Sequence, residues 1–240
     1  MQYSLPNKIA AWLVHIFTVS GIFLGFLALL SSINNDFTQA VFFLALALFM
    51  DGVDGTLARH VDVENVTPSV DGSVLDNIID YCNYVLVPTF MIHWFGFLGE
   101  NYSLFLCFLI LSVSSYTFAN KGIKTDDYYF SGFPALWNLV VLYFYLLDTP
   151  ELINIAVVLL LSIFTFIPFK YVHPMRVLSL RKTTIAMTCF WCLTTVYLLL
   201  AVDSPRDIDR SLNVEYVIYC AWILVNLYFL FITLRRSFQS

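Results

Sequence analysis

Four aspartates carry most of the chemical content of this chain. Asp51 and Asp54 stand three residues apart and Asp76 and Asp80 four apart, each pair in or beside a long apolar stretch. On a helix either spacing puts both carboxylates on one face, with ~4.5–6 Å of rise between them. A charged side chain at the middle of a spanning helix costs about 2.5–3.5 kcal/mol, less towards the ends, so four near one depth demand compensation. A bound cation supplies it most cheaply. Two such helices side by side would make a four-carboxylate cage, and oxygen-only ligation suits magnesium, manganese or calcium and disfavours zinc. Aspartates that cap helices and face headgroup water are the alternative for any one of them, and a poor account of all four. Asp71, followed by Gly72, reads instead as an N-cap.

The residues between the pairs narrow the chemistry. Gly55, Ala58 and Gly72 remove side chains beside the acids, which lets a ligand approach the backbone. Arg59 adds a permanently charged fork suited to phosphate. Together these describe a site for a diphosphate. A pair of metal ions there would clamp the attacking and leaving oxygens of an in-line displacement at phosphorus, with one carboxylate left as general base.

The elements that must hold these residues are membrane helices. The 240 residues are 60% apolar and 12% charged, against averages of roughly 45–50% and about 25%, and the mean hydropathy is +0.79. A soluble enzyme, a disulfide scaffold, a nucleic-acid binder and a disordered regulator all fit poorly. Eight apolar segments, near 11–31, 37–58, 73–98, 101–120, 132–148, 151–169, 183–202 and 214–234, approach the ~20 residues that a bilayer core takes as helix. Open strands are excluded because lipid cannot satisfy their edges. The expectation is an all-α integral membrane protein, one domain over 1–240 with eight transmembrane helices. Residues 1–10 read as an amphipathic interfacial segment or a frayed terminus.

Ten of the twelve Lys and Arg residues fall on one side of these spans, and Arg206 and Arg210 fall on the other. The even span count then puts both termini in the cytoplasm.

The run Asp51, Asp54-Gly55, Ala58-Arg59, Gly72, Asp76, Asp80 resembles the signature of the CDP-alcohol phosphotransferase family. The resemblance implies a six-helix core over the first six spans (11–169), with two C-terminal helices (183–234) added. It also implies transfer of a phosphatidyl or similar group from a CDP-linked donor to an alcohol, with release of CMP. Twelve residues separate Arg59 from Gly72, more than is common in the family. That linker and the strings GFPALWN (132–138) and YVHPMR (171–176) are similar to the bacterial branch that condenses CDP-diacylglycerol with free choline. Carried over by position, Asp51, Asp54, Asp76 and Asp80 would hold Mn²⁺ or Mg²⁺, in two sites, with Asp80 as the base. Gly55, Ala58 and Gly72 would shape the donor slot, and Arg59 would meet its phosphates. The resemblance further implies a homodimer in the bacterial inner membrane.

Choline is a permanent cation, so its pocket should offer aromatic faces and acids. Tyr81, Tyr84, Tyr116, Trp137 and Asn138 are candidates, although aromatics gather at membrane interfaces in any case. In the basic stretch after the sixth span, Arg176 reads either as a further contact to donor phosphate or as an anchor to anionic lipid. Gly21 and Gly25 form a G-x-x-x-G suited to close helix packing, Pro88 should kink the third span, and His15, His93 and the C-x-x-C of Cys189 and Cys192 read as structural. Serine, inositol phosphate or glycerol phosphate is the nearest alternative acceptor. A cation-coupled transporter is the distant one, but it would want acids nearer mid-bilayer. A topology reporter fused to Ser240 should read as cytoplasmic; a signal from the opposite side would overturn the orientation.

Overall fold

The computed structural model describes residues 3–120, 122, 129–172, 181–201 and 213–237. Ten α-helices account for most of them: α1 (Leu5–Ile33), α2 (Phe37–Val61), α3 (Val63–Val66), α4 (Gly72–Tyr81), α5 (Val87–Trp94), α6 (Gly99–Ala119), α7 (Trp137–Leu146), α8 (Glu151–Phe164), α9 (Arg181–Ala201) and α10 (Val214–Ser237). Five of these, α1, α2, α6, α9 and α10, are long and apolar enough to cross a membrane. The chain is a helical membrane protein. It divides into two compact units, residues 1–118 with 136–141, and residues 119–135 with 142–240.

In the first unit, α1 is apolar on all sides and sorts its residues by size. Ala11, Gly21, Gly25, Ala28, Ser31 and Ser32 face inward, while Leu13, Ile16, Phe23 and Phe26 point out. In lipid, large side chains gain nothing by facing inward, whereas small ones let backbones approach. Residues 5–10 continue this helix without a break. Asp36 caps α2, its carboxylate accepting from the Gln39 N–H at 2.8 Å. The buried face of α2 runs Phe37, Ala40, Val41, Leu44, Ala47, and the same three- and four-residue steps carry it on to Asp51 and Asp54. The acids therefore continue the inward face.

Between α2 and α4 the chain turns at Asp62, which is left-handed (φ 57°). There α3 packs Val63 and Val66 on Ala11 and Val14 of α1. His15 pins this linker by bonding Thr67 Oγ1 at 2.9 Å. Asp71 is the expected N-cap, accepting from Ser73 and Val74 N–H.

The third apolar segment is continuous helix from Gly72 to Trp94, but Cys82–Leu86 is a π turn between α4 and α5. Here the Val87 N–H reaches back to the Cys82 carbonyl. Pro88 has no N–H to give the preceding turn, and one surplus residue accommodates that loss. The disturbance expected at Pro88 therefore lies in the turn before it. Asn83, within the π turn, crosses to α1 and donates to the Gly21 carbonyl at 3.1 Å. Further along, His93 bonds Ser103 of α6 at 2.8 Å.

In the second unit, β1 (Tyr129–Ser131) and β2 (Lys170–Val172) pair antiparallel with Tyr129 opposite Val172. Gly132 follows at φ +88°, and a Cβ there would sit 2.6 Å from the Thr165 carbonyl oxygen. Helices α9 and α10 are tied by polar groups. Trp222 donates to Thr195 Oγ1 at 2.9 Å, and Asn226 accepts from both Trp191 and Tyr143.

Three expected spans are shorter as helices. The third stops at Trp94, ahead of a turn with Gly96 at positive φ. The fifth begins only at Trp137, because Gly132 and Ala135 hold left-handed backbone. The sixth stops at Phe164, shortly before Pro168.

A Cβ on Gly25 would lie 2.1 Å from Asn83 Oδ1. Gly25→Val should therefore lower the thermal midpoint in detergent, by an overpacking cost of about 1–3 kcal/mol, and adding Asn83→Ala should recover most of it. Strictly additive losses would contradict this contact.

Candidate active site

The inward end of α2 and one face of α4 bring their acids together. Carboxylate oxygens of Asp51, Asp76 and Asp80 lie within 4.8 Å of one another. Asp54 lines the same cleft but is not one of this trio; it is buried at 7% exposure, and Thr18 lines the cleft with it. Helix α1 forms the third wall through Thr18 and Gly21, and Asn83 closes the cleft from the π turn. Tyr84 completes the cluster, its hydroxyl donating to Asp51 Oδ2 at 2.7 Å.

Electrostatics limit what this arrangement can be. Two unit charges 4.8 Å apart repel by about 3 kcal/mol at an effective dielectric near 20, and three carboxylates make three such pairs. The Tyr84 hydroxyl, worth about 1.5–3 kcal/mol on a charged acceptor, does not by itself offset that. A hard divalent cation does. The donor set is all oxygen, convergent and part-exposed, so its chemistry fits Mg²⁺ or Mn²⁺.

The residues expected at the donor slot divide by position. Arg59 is exposed and bonds Thr56 Oγ1 at 3.2 Å on its own helix. Gly52 and Gly55 leave the neighbouring surface of α2 bare: a Cβ on Gly52 would meet nothing within 4 Å, and one on Gly55 only Arg59 Nη1, at 3.5 Å. Ala58 packs on the Ala11, Val14, Val63 and Val66 cluster. Gly72 opens α4 beside the His15 ring, 3.6 Å from a built Cβ. Arg176 lies outside the described residues.

Among the choline candidates, Tyr84 is bonded to the acidic cluster through Asp51. The Tyr81 hydroxyl is turned to α6, 3.1 Å from the Leu111 carbonyl and 3.2 Å from Ser115 Oγ. Tyr116 is half exposed on α6. Trp137 is wholly buried and donates to Ser114 Oγ at 2.8 Å, so its ring faces are committed to the core. Asn138 is buried, and its Oδ1 has no hydrogen-bond partner. Sequence reasoning missed Thr18 and Asn83. The G-x-x-x-G of Gly21 and Gly25 was the available signal, since a close approach of α1 had to bring its neighbours to the acids.

Fold and site together define a polytopic helical membrane protein with an acidic, cation-competent cluster beside glycine-bared helix surface. The chain belongs to the CDP-alcohol phosphatidyltransferase family, whose sequence profile matches residues 11–168. It is 41% identical over 231 residues to a phosphatidylcholine synthase of Pseudomonas aeruginosa, covering 96% of this chain and 93% of that one. Phosphatidylcholine synthases of Borreliella burgdorferi (35% identical; 96% and 98% covered) and Legionella pneumophila (37%; 90% and 87%) are also similar along nearly their whole length.

Asp76→Asn removes two of the three repelling pairs and should raise the thermal midpoint of protein kept in EDTA, with a stabilisation of up to about 6 kcal/mol. The same variant should lose the stabilisation that Mn²⁺ gives the unaltered chain. A lower midpoint in EDTA would show that Asp76 serves packing instead.

Proposed function

We propose that the protein transfers the phosphatidyl group of CDP-diacylglycerol to choline and releases CMP, at a divalent-metal site facing the cytoplasm. The convergence of Asp51, Asp76 and Asp80 is the observation that carries this reading, and the near full-length similarity to phosphatidylcholine synthases supports the choice of substrates.

Asp51, Asp76 and Asp80 would hold Mn²⁺ or Mg²⁺, and a second ion would draw on Asp54 with them. A bound divalent cation supplies charge neutralisation for the diphosphate and for the oxygen that leaves. The rest falls to the chain. The donor's acyl chains stay in the bilayer while its diphosphate crosses the bare surface at Gly55 and the start of α4 at Gly72, with Ala58 packing behind. Arg59, charged at any accessible pH, pairs with the phosphates, and Arg176 is proposed as a second contact. Asp80 accepts the proton of the choline hydroxyl. The oxygen then bonds to the phosphorus bearing diacylglycerol, and the bond from that phosphorus to the CMP oxygen breaks, its electron pair leaving with CMP. The quaternary ammonium is held by nearby acids and by aromatic faces, for which Tyr81 and Tyr116 are candidates.

Eight membrane crossings, with both termini on the cytoplasmic side of a bacterial inner membrane, complete the proposal. The cation asymmetry of the loops supports the orientation, and the family resemblance supports a homodimer.

The test is a headgroup screen with labelled CDP-diacylglycerol and choline, serine, inositol and glycerol 3-phosphate. Choline alone should yield labelled lipid, EDTA should abolish the yield, and Mn²⁺ or Mg²⁺ should restore it. Asp80→Asn should lower turnover by about 10²–10⁴-fold. Preference for another acceptor would overturn the substrate assignment, and near-normal turnover of Asp80→Asn the base.

A further inference from the structure

Tyr84 is 5% exposed and sits inside the π turn, four residues beyond Asp80 and eight beyond Asp76. One helical run thus supplies two carboxylates of the trio and a phenol that reaches across to the third, Asp51, on α2. The bond is 2.7 Å long, made by a buried phenol to one carboxylate oxygen, and so ties the Asp51 side chain to a fixed point. It also joins the two helices that share the site. A carboxylate repelled by two neighbours would otherwise swing outward, since the Asp side chain has only two torsions holding it.

We propose that Tyr84 is a positioning residue for the divalent cation: its hydroxyl holds Asp51 in line with Asp76 and Asp80, so that the trio is preformed before metal arrives. In this role the phenolic oxygen matters and the ring face does not. The inference rests on the reading that the cluster binds a divalent metal. Partners that orient ligating carboxylates are typically worth 10–100-fold in metal affinity.

The experiment is a Mn²⁺ titration of the full-length chain in detergent, without substrate, followed by the loss of the free-ion electron paramagnetic resonance signal. The unaltered chain and Tyr84→Phe are compared, each also in an Asp51→Asn background. Tyr84→Phe should weaken Mn²⁺ binding 10–100-fold, but should cost nothing further once Asp51 is Asn. In turnover assays its activation by Mn²⁺ should shift to correspondingly higher concentration, with the rate regained at excess metal and the KM for choline unchanged. Equal Mn²⁺ affinity in the two chains overturns the proposal, as does a loss that excess Mn²⁺ does not reverse. A raised KM for choline at unaltered metal affinity would return Tyr84 to the alcohol pocket. If the unaltered chain binds no Mn²⁺, the metal reading falls and this proposal falls with it, an outcome distinct from equal binding by both.

Discussion

Mutual repulsion among Asp51, Asp76 and Asp80 is the constraint around which the first unit is arranged. Three carboxylates held within 4.8 Å would, when all are charged, repel by about 3 kcal/mol per pair at an effective dielectric near 20, so the surrounding helices must hold them in place. Each neighbour acts on that problem. The Asp71 cap starts α4 at a defined residue, Tyr84 bonds Asp51, and Thr18 lines the cleft beside the buried Asp54. Asn83 ties the π turn to α1. These restraints gather where charge is concentrated, while the surface at Gly52 and Gly55 beside them is bare.

The convergence of the acids was legible in the sequence because they obey helical periodicity. Spacings of three and four residues place acids on a common face whatever the rest of the chain does, and α2 shows Asp51 and Asp54 continuing its buried stripe. What periodicity does not encode is a change of period. The π turn at Cys82–Leu86 alters how the helix faces its neighbours there, so the partner of Tyr84 was not deducible, although Pro88 marked the neighbourhood. The separation of Asp54 from the trio has another cause: residues three apart on α2 share a face, but they do not share an angle.

Aromatic residues were less informative. At 18% of the chain they occupy core, lipid face and site alike, and burial distinguishes Trp137 from Tyr116 where residue type cannot. Helix ends followed local backbone chemistry more than hydropathy. Gly132 and Ala135 with positive φ delay α7, and apolar residues ahead of it remain outside the helix despite their hydropathy.

The wall that α1 gives the site is built from what its residues lack. Gly21 contributes a carbonyl oxygen, which any amino acid would also have, and room: a Cβ there would come within 3.3 Å of Ile79. Truncation therefore finds nothing to remove at Gly21 and Gly25, and a scan that trims side chains would score these two positions as inert. Their vulnerability runs in the opposite direction, towards added atoms. Variation tolerated at Gly21 and Gly25 should thus be far narrower than at Phe23 and Phe26 on the outer face, where side-chain bulk is free to change.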